Sequence, residues 1–486
     1  MTQTNAGSVI EKYVAETWAN SVIPILHDYI AIPALSPMFD PGWTDSGHLA
    51  AAVALLKDWA SSRAIAGLTV ELHQLAGRTP VIVCEIPAFG VSSPPVSVSA
   101  AAAANDAVLL YGHLDKQPEM TGWRADLGPW LPVREGDRLY GRGGADDGYA
   151  LFSALSAVEA VQTSGGSHAR CFVIIEASEE SGSPDLPAHI EALADRIGTP
   201  SLVVCLDSGA LDYERLWVTT SLRGVAGGVL RVDVLSEGVH SGSASGVVPS
   251  SFRVVRQLLD RVEDSKTGAV LVDACHVPIP EYRIAEATQT ATEVAKSSAE
   301  FPFLPGVKPM TDDSVEQILN RTWRPTLSVT GAEGLPEVGK AGNVLRPFTS
   351  LRLSFRLPPT VESEPALAAI RSALTIDPPY GAHVELLAGE AADGWNAPAF
   401  APWLDAAMRR ASEASFNLGY RAFGEGGSIP FMRMLQQRFP EAQFFVTGVL
   451  GPHSNAHGPN EFLHLPTAER ITRCVAHVLN EHVNRE

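Results

Sequence analysis

The sequence predicts an α/β layered domain built from both ends of the chain, with a smaller α+β domain inserted between them. Short, almost continuously apolar runs such as CFVIIE and SLVVCL alternate with helical periodicity in the first half. That is the signature of strands buried on both faces of a mixed, mostly parallel sheet between helices. From about Leu216 the texture turns to period-two alternation, as in VTTSLRGVAGGVLRVDVL, which fits an antiparallel sheet with one exposed face. After about Leu387 the helix–strand–helix texture returns, dividing the chain into 1–215, 216–388 and 389–486. With 486 residues, two cores can each be buried.

In order, helical patterns cover 7–30 and 46–66, the second stopping at Gly67. Strands follow from Thr69, Pro80 and Ala107. Between the last two, VSSPPVSVSAAAAAND reads as a surface excursion. Leu151, Phe152, Leu155, Val158 and Val161 recur at helical spacing after Asp146. The insert holds a helix near 250–263, a long polar, Pro-rich segment and the strand SLRLSFRLP. A helix over 400–418, the strand QFFVTG and a helix over 467–480 close the chain.

Composition narrows the function classes. Lys and Arg number 36 against 55 Asp and Glu, a net charge of -19 that disfavours nucleic acid or an anionic membrane as partner. The five cysteines have no CxxC spacing and read as small buried hydrophobes in a reducing compartment. The N-terminus shows no basic stretch followed by an apolar one, and no apolar run approaches the roughly 18 residues of a membrane span. A cytoplasmic protein is the expectation.

The chemistry gathers at strand ends. AVLLYGH runs into GHLDKQP, so His113 and Asp115 stand at a carboxyl end, where open α/β sheets place their sites. Two apart on extended backbone, they point the same way, and Asp115 can accept from the second ring nitrogen of a metal-bound His113 or orient it from nearby. Alone, this pair is commonly a polar surface contact. GRGGADDG then brings Asp146 and Asp147 to a helix start. It lacks the GK[ST] ending of a phosphate loop, and an N-cap explains a single Asp there equally well. CFVIIEASEE ends in Glu179–Glu180, a doublet that is costly after a buried strand unless cations or hydrogen bonds compensate it. One carboxylate on metal and the other as general base is the natural division. SLVVCLD closes on Asp207, and GPHSNAHGPNEF offers His453 and His457. With His113 and His457 neutral, and Asp146, Glu180 and Asp207 anionic, the set balances two divalent ions. Nitrogen and carboxylate donors without Cys suit Zn²⁺, with Co²⁺ or Mn²⁺ as substitutes.

Taken in order, these pieces resemble the dinuclear zinc exopeptidases: carnosinases and cytosolic dipeptidases, glutamate carboxypeptidases, aminoacylases, tripeptidases and succinyl-diaminopimelate desuccinylases. GHLDKQP, GRGGADDG, EASEESGS, LDSG, GVHSG and AHGPNE match that family's elements along nearly the whole chain. The resemblance implies a phosphorylase/hydrolase-like catalytic domain with an inserted lid or dimerisation domain, two Zn²⁺ per chain and a homodimer. It implies that His113 and Asp207 hold one zinc, Glu180 and His457 the other, and that Asp146 bridges them, with a non-proline cis peptide after Asp146. Glu179 would be the general base and later the acid, and Asp115 would orient His113. His240, from the chain's own insert or a partner subunit's, would stabilise the oxyanion. Asn343, Arg356, Gly427 and Ser428 would fix the substrate carboxylate. The expected reaction is hydrolysis of the amide bond of a dipeptide or short peptide beside its free carboxylate. Deacylation of an N-acyl amino acid by the same centre is the alternative. Two positions depart from the family pattern: Gly148 replaces its usual Lys, and Lys116 stands where a small apolar residue is common. A serine hydrolase is disfavoured, because no G-x-S-x-G elbow is present.

Overall fold

The computed structural model describes residues 3–91, 106–293, 301–427 and 429–485. The expected surface excursion between Val91 and Asp106 therefore falls outside the described residues.

The chain forms two compact units, the first comprising Met1–Thr220, Ala397–Phe423 and Met434–Glu486. Its six-stranded sheet runs Thr69–His73, Val81–Ile86, Cys171–Glu176, Asp106–His113, Thr199–Cys205 and Gln443–Val446. The last four are mutually parallel and the first two antiparallel. The parallel strands are the continuously apolar runs, and Cys171–Glu176 is buried at every position. A side chain facing helices on either face of such a sheet has no water to meet, which selects Val, Ile, Leu and Phe at successive positions. The Ala150–Thr163 helix is buried along its length, so it too is apolar nearly all round. The Leu465–His482 helix packs against it and against Pro402–Phe416. There Thr472 Oγ1 accepts from Trp18 Nε1 at 3.0 Å and lies 2.9 Å from Ser153 Oγ.

Register positions the site. His113 lies opposite Glu176, and Tyr111 opposite Cys205. The three strands therefore end level, and whatever follows each one emerges at the same edge.

The second unit comprises Ser221–Asn396 and Gly424–Arg433. The contacts carry the insert beyond residue 388 and add a short later segment that the periodicity did not anticipate. Its four-stranded antiparallel sheet runs Thr326–Glu333, Phe348–Leu357, Gly224–Asp233 and His383–Ala392. The helices Ser251–Leu259 and Ser363–Thr375 cover one face through Val254, Leu258, Ile370 and Leu374. The polar, Pro-rich segment conceals two helices, Glu281–Glu293 and Ser314–Thr322, which share a small core of Ala287, Ile318, Leu319 and Trp323. Asp313 caps the second by accepting from Val315 N and Glu316 N.

One boundary differs from the sequence expectation. The helix read as 46–66 spans His48–Ser61, and Gly67, with φ of 77°, stands in the turn beyond it. All five cysteines are buried and unpaired. Among the described residues, no helix is long and apolar enough to cross a membrane.

Candidate metal centre

Two triads of potential ligands lie at the carboxyl edge of the parallel strands. His113, Asp146 and Asp207 form one, and Asp146, Glu180 and His457 the other, with ligating atoms in each within 4.8 Å of one another. His113 Nε2 is 3.3 Å from Asp146 Oδ1 and 3.9 Å from Asp207 Oδ2. His457 Nε2 is 3.0 Å from Asp146 Oδ2 and 3.4 Å from Glu180 Oε2. Asp146 thus faces one imidazole with each of its oxygens. His453 belongs to neither triad.

The polar atoms converge without satisfying one another. His113 Nε2 and Asp146 Oδ2 are buried and lack a hydrogen-bond partner. Buried polar groups left in this state are uncommon, and donors aimed at a shared point fit ligands of a cation.

Charge points the same way. Burial, reinforced by Asp207, pushes Glu179 well above the usual carboxylate range, and burial beside Asp146 pushes Glu180 up to about 8. Burial also raises Asp207, to about 6. Burial works against protonation of His113, yet Asp115 and Asp146 beside it raise its pKa well above the ordinary value. The acids therefore gather protons, and draw them onto the imidazoles, to offset crowded negative charge. Divalent cations would supply that charge and leave the imidazoles neutral for ligation. The residues fit two such ions.

Local structure fixes each group. Asp115 holds the turn of its neighbours: its Oδ1 accepts from Glu179 N and its Oδ2 from Glu180 N, both at 3.0 Å. The acceptor at His113 Nδ1 is the Asp115 backbone carbonyl, at 3.1 Å, while the carboxylate stands 3.6 Å away. Side-chain acceptance from the imidazole, one of the two sequence expectations for Asp115, gives way to this double grip on the glutamate turn. Glu176, behind that turn, accepts from Tyr111 Oη at 2.6 Å and Ser183 Oγ at 2.8 Å. Gln117 donates to Glu180 Oε2 at 2.5 Å. The Asp146–Asp147 peptide bond is cis. Asp147 turns back to accept from His113 N at 3.2 Å. The approach needs Gly112, where an added Cβ would lie 2.4 Å from Ala150 Cβ and 2.8 Å from Asp147 Oδ2. Lys116 points away from the ligands: fully buried, its Nζ donates to the carbonyls of Tyr29 and Ile32 beyond a helix C-terminus.

A profile of Peptidase family M20/M25/M40 matches residues 109–481, which span every ligand of both triads. The chain belongs to this family. As an M20 peptidase it is a metal-dependent hydrolase, and its curated relatives include dipeptidases. It is 27% identical over 374 residues to the cysteinylglycine-S-conjugate dipeptidase of Corynebacterium striatum, covering 74% of this chain and 79% of that one. It is 28% identical over 394 residues to the Cys-Gly metallodipeptidase DUG1 of Saccharomyces cerevisiae, covering 77% and 79%. Human Beta-Ala-His dipeptidase is 30% identical over 237 residues, 47% of this chain and 45% of that one. Among solved structures, Dug1p from Saccharomyces cerevisiae superposes with a TM-score of 0.73 at 22% identity, over 98% of each chain. Human carnosine dipeptidase 1 gives 0.72 at 22%, over 98% of this chain and 99% of the other. These structures share the M20 fold.

The remaining expected site residues lie in the second unit. His240 pairs with Val344 in a short antiparallel bridge, and Ser241 N donates to Asn343 O at 2.9 Å, so His240 and Asn343 are brought together. Arg356 lies opposite Thr326 on one side and Val225 on the other. Gly427 is exposed, and its carbonyl accepts from Arg223 N at 3.0 Å. Ser428 is outside the described residues.

Sequence reasoning missed Gln117, Glu176 and the buried pair Arg142–Glu461. Each sits inside or beside a motif already singled out. The available signal was a charged or amide side chain within an apolar or Gly-rich run, which has no exposed face to occupy.

Proposed function

We propose that this M20 peptidase is a dinuclear zinc dipeptidase that hydrolyses the amide bond of a dipeptide or short peptide beside its free C-terminal carboxylate. The observation that carries the reading is the pair of ligand triads sharing Asp146. The relatives' names support a dipeptide over an N-acyl amino acid: they specify Cys-Gly, Beta-Ala-His and cysteinylglycine-S-conjugate substrates.

His113 and Asp207 would hold one ion, Glu180 and His457 the other, and Asp146 both. When bound, the ions supply Lewis-acid polarisation and lower the pKa of water toward about 7. Glu179 belongs to neither triad and is kept beside Glu180 by the Asp115 grip on both backbone amides. It takes the proton of the attacking water and returns it to the leaving nitrogen. His240 stabilises charge developing on the carbonyl oxygen, in its own or a partner subunit's site. Asn343, Arg356, Gly427 and Ser428 bind the substrate carboxylate, Arg356 by a charge-assisted pair. The setting is the cytoplasm and the assembly a homodimer. The reading is tested by product analysis with Cys-Gly, β-Ala-His and acetylated amino acids, each with added Zn²⁺ or Mn²⁺. Cleavage of dipeptides well ahead of acyl amino acids supports it, and the reverse order makes the chain a deacylase.

A further inference from the structure

We propose that the buried Arg142–Glu461 pair is a positioning device that ties the Asp146 loop to the His457 loop, and so sets the second metal position while leaving the first nearly unaffected. This rests on the dinuclear reading above.

The two loops are 319 residues apart in sequence at this contact, and the ties between them are specific. Arg142 is 1% exposed and Glu461 fully buried. Arg142 Nη1 donates to Glu461 Oε2, and Gly143 N donates to Oε1 at 2.8 Å. Gly141 N donates to the Glu461 carbonyl at 3.0 Å. The second guanidinium nitrogen, Nη2, reaches the carbonyls of His457 at 3.1 Å and Gly458 at 2.9 Å. One planar guanidinium therefore holds a carboxylate with one edge and the peptide carbonyls of a metal ligand and its neighbour with another.

The second position needs such a tie and the first does not. His113 ends a strand fixed by parallel partners on both sides, and Asp207 follows another. His457 has neither advantage. It sits in a loop without regular structure, at φ of 62°, with its side chain 56% exposed. Packing of its ring cannot set its place, so its backbone must be held. A buried ion pair is poor support for stability as such, since apolar pairs of like volume commonly serve as well. Its use here is geometric: it fixes the separation of Asp146 and His457, which offer ligand atoms to the same ion.

The test is an equilibrium Zn²⁺ titration of metal-free protein against a competing chelator, for the wild type, Glu461→Gln and Arg142→Lys. Glu461→Gln keeps an acceptor for Gly143 N, and Arg142→Lys keeps the charge but loses the fork. Wild type should take up two equivalents. Each variant should keep one at wild-type affinity and bind the other about 10–100-fold more weakly, the usual effect of losing a group that orients a ligand. Hydrogen exchange on the metal-free proteins supplies a second readout: amides of 453–461 should exchange faster in the variants, with those of 106–113 unchanged. Equal weakening of both equivalents, or two tight equivalents with unchanged exchange, overturns the proposal. Fewer than two equivalents in the wild type defeats the dinuclear reading instead, and the exchange comparison still decides whether the pair ties the loops.

Discussion

The groups assigned to chemistry and those assigned to recognition live under different conditions. In the first unit, His113, Asp146 and Asp207 are nearly inaccessible. The turns around them are gripped by Asp115, Glu176 and the Arg142–Glu461 pair. In the second unit, His240, Asn343 and Gly427 are exposed, and His240 stands on a bridge only two residues long. The contrast follows from what each group must do. Carboxylates that share cations must be desolvated and oriented beforehand, or the ions remain hydrated in solution. Groups that meet the substrate must stay open until it arrives.

The sharpest way to break this comparison is at the base. Glu179→Gln should keep both metals and lower kcat by about 10²–10⁴-fold, the usual worth of a positioned base. Turnover near normal with metals in place would remove Glu179 from that role. On the recognition side, His240→Ala should lower kcat by about 10²–10³-fold without changing metal content, as loss of an oxyanion donor does. Metal loss in that variant would erase the distinction between the two units. Arg356→Lys should act mainly on KM, raising it about ten- to a hundredfold, since a point charge replaces a fork whose hydrogen bonds to a charged group contribute about 1.5–3 kcal/mol. Steady-state kinetics on one dipeptide separates the two parameters, and an effect confined to kcat would reassign Arg356.

The smallest effect concerns stability rather than activity. Burial and Arg485 hold the His482 imidazole well below its ordinary 6.5, and its Nε2 lies 2.7 Å from Ser201 Oγ. Below about pH 6.5 the unfolded chain binds a proton that the folded chain refuses. Stability is therefore full above that pH and falls as pH drops through it, by up to about 1.36 kcal/mol per unit. Denaturant unfolding between pH 7.5 and 5 should show this slope, and His482→Gln should flatten it. An unchanged slope would place the pH sensitivity elsewhere, with the carboxylates of the metal centre the next candidates.

The parallel strands were legible because each apolar run stops at a charged or imidazole side chain. An uncompensated acid at the end of a buried strand is costly, so CFVIIEASEE and SLVVCLD announce their own chemistry. The helices Glu281–Glu293 and Ser314–Thr322 were illegible because they bury only a few side chains each, leaving a weak period within polar sequence. The Asp115 grip was misread for a different reason. Its local geometry allows the carboxylate to face His113, but the Glu179–Glu180 amides, 64 and 65 residues away in sequence, compete for it in the fold. Arg142 and Glu461 are farther apart still, and no periodicity joins them.

The central claim is that Asp146 serves two ions at once. A crystal structure of the protein grown with Zn²⁺, with anomalous difference maps calculated at the zinc edge, tests it directly. The account predicts two peaks, one among His113, Asp146 and Asp207 and the other among Asp146, Glu180 and His457. A single peak, or zinc bound away from Asp146, would contradict it.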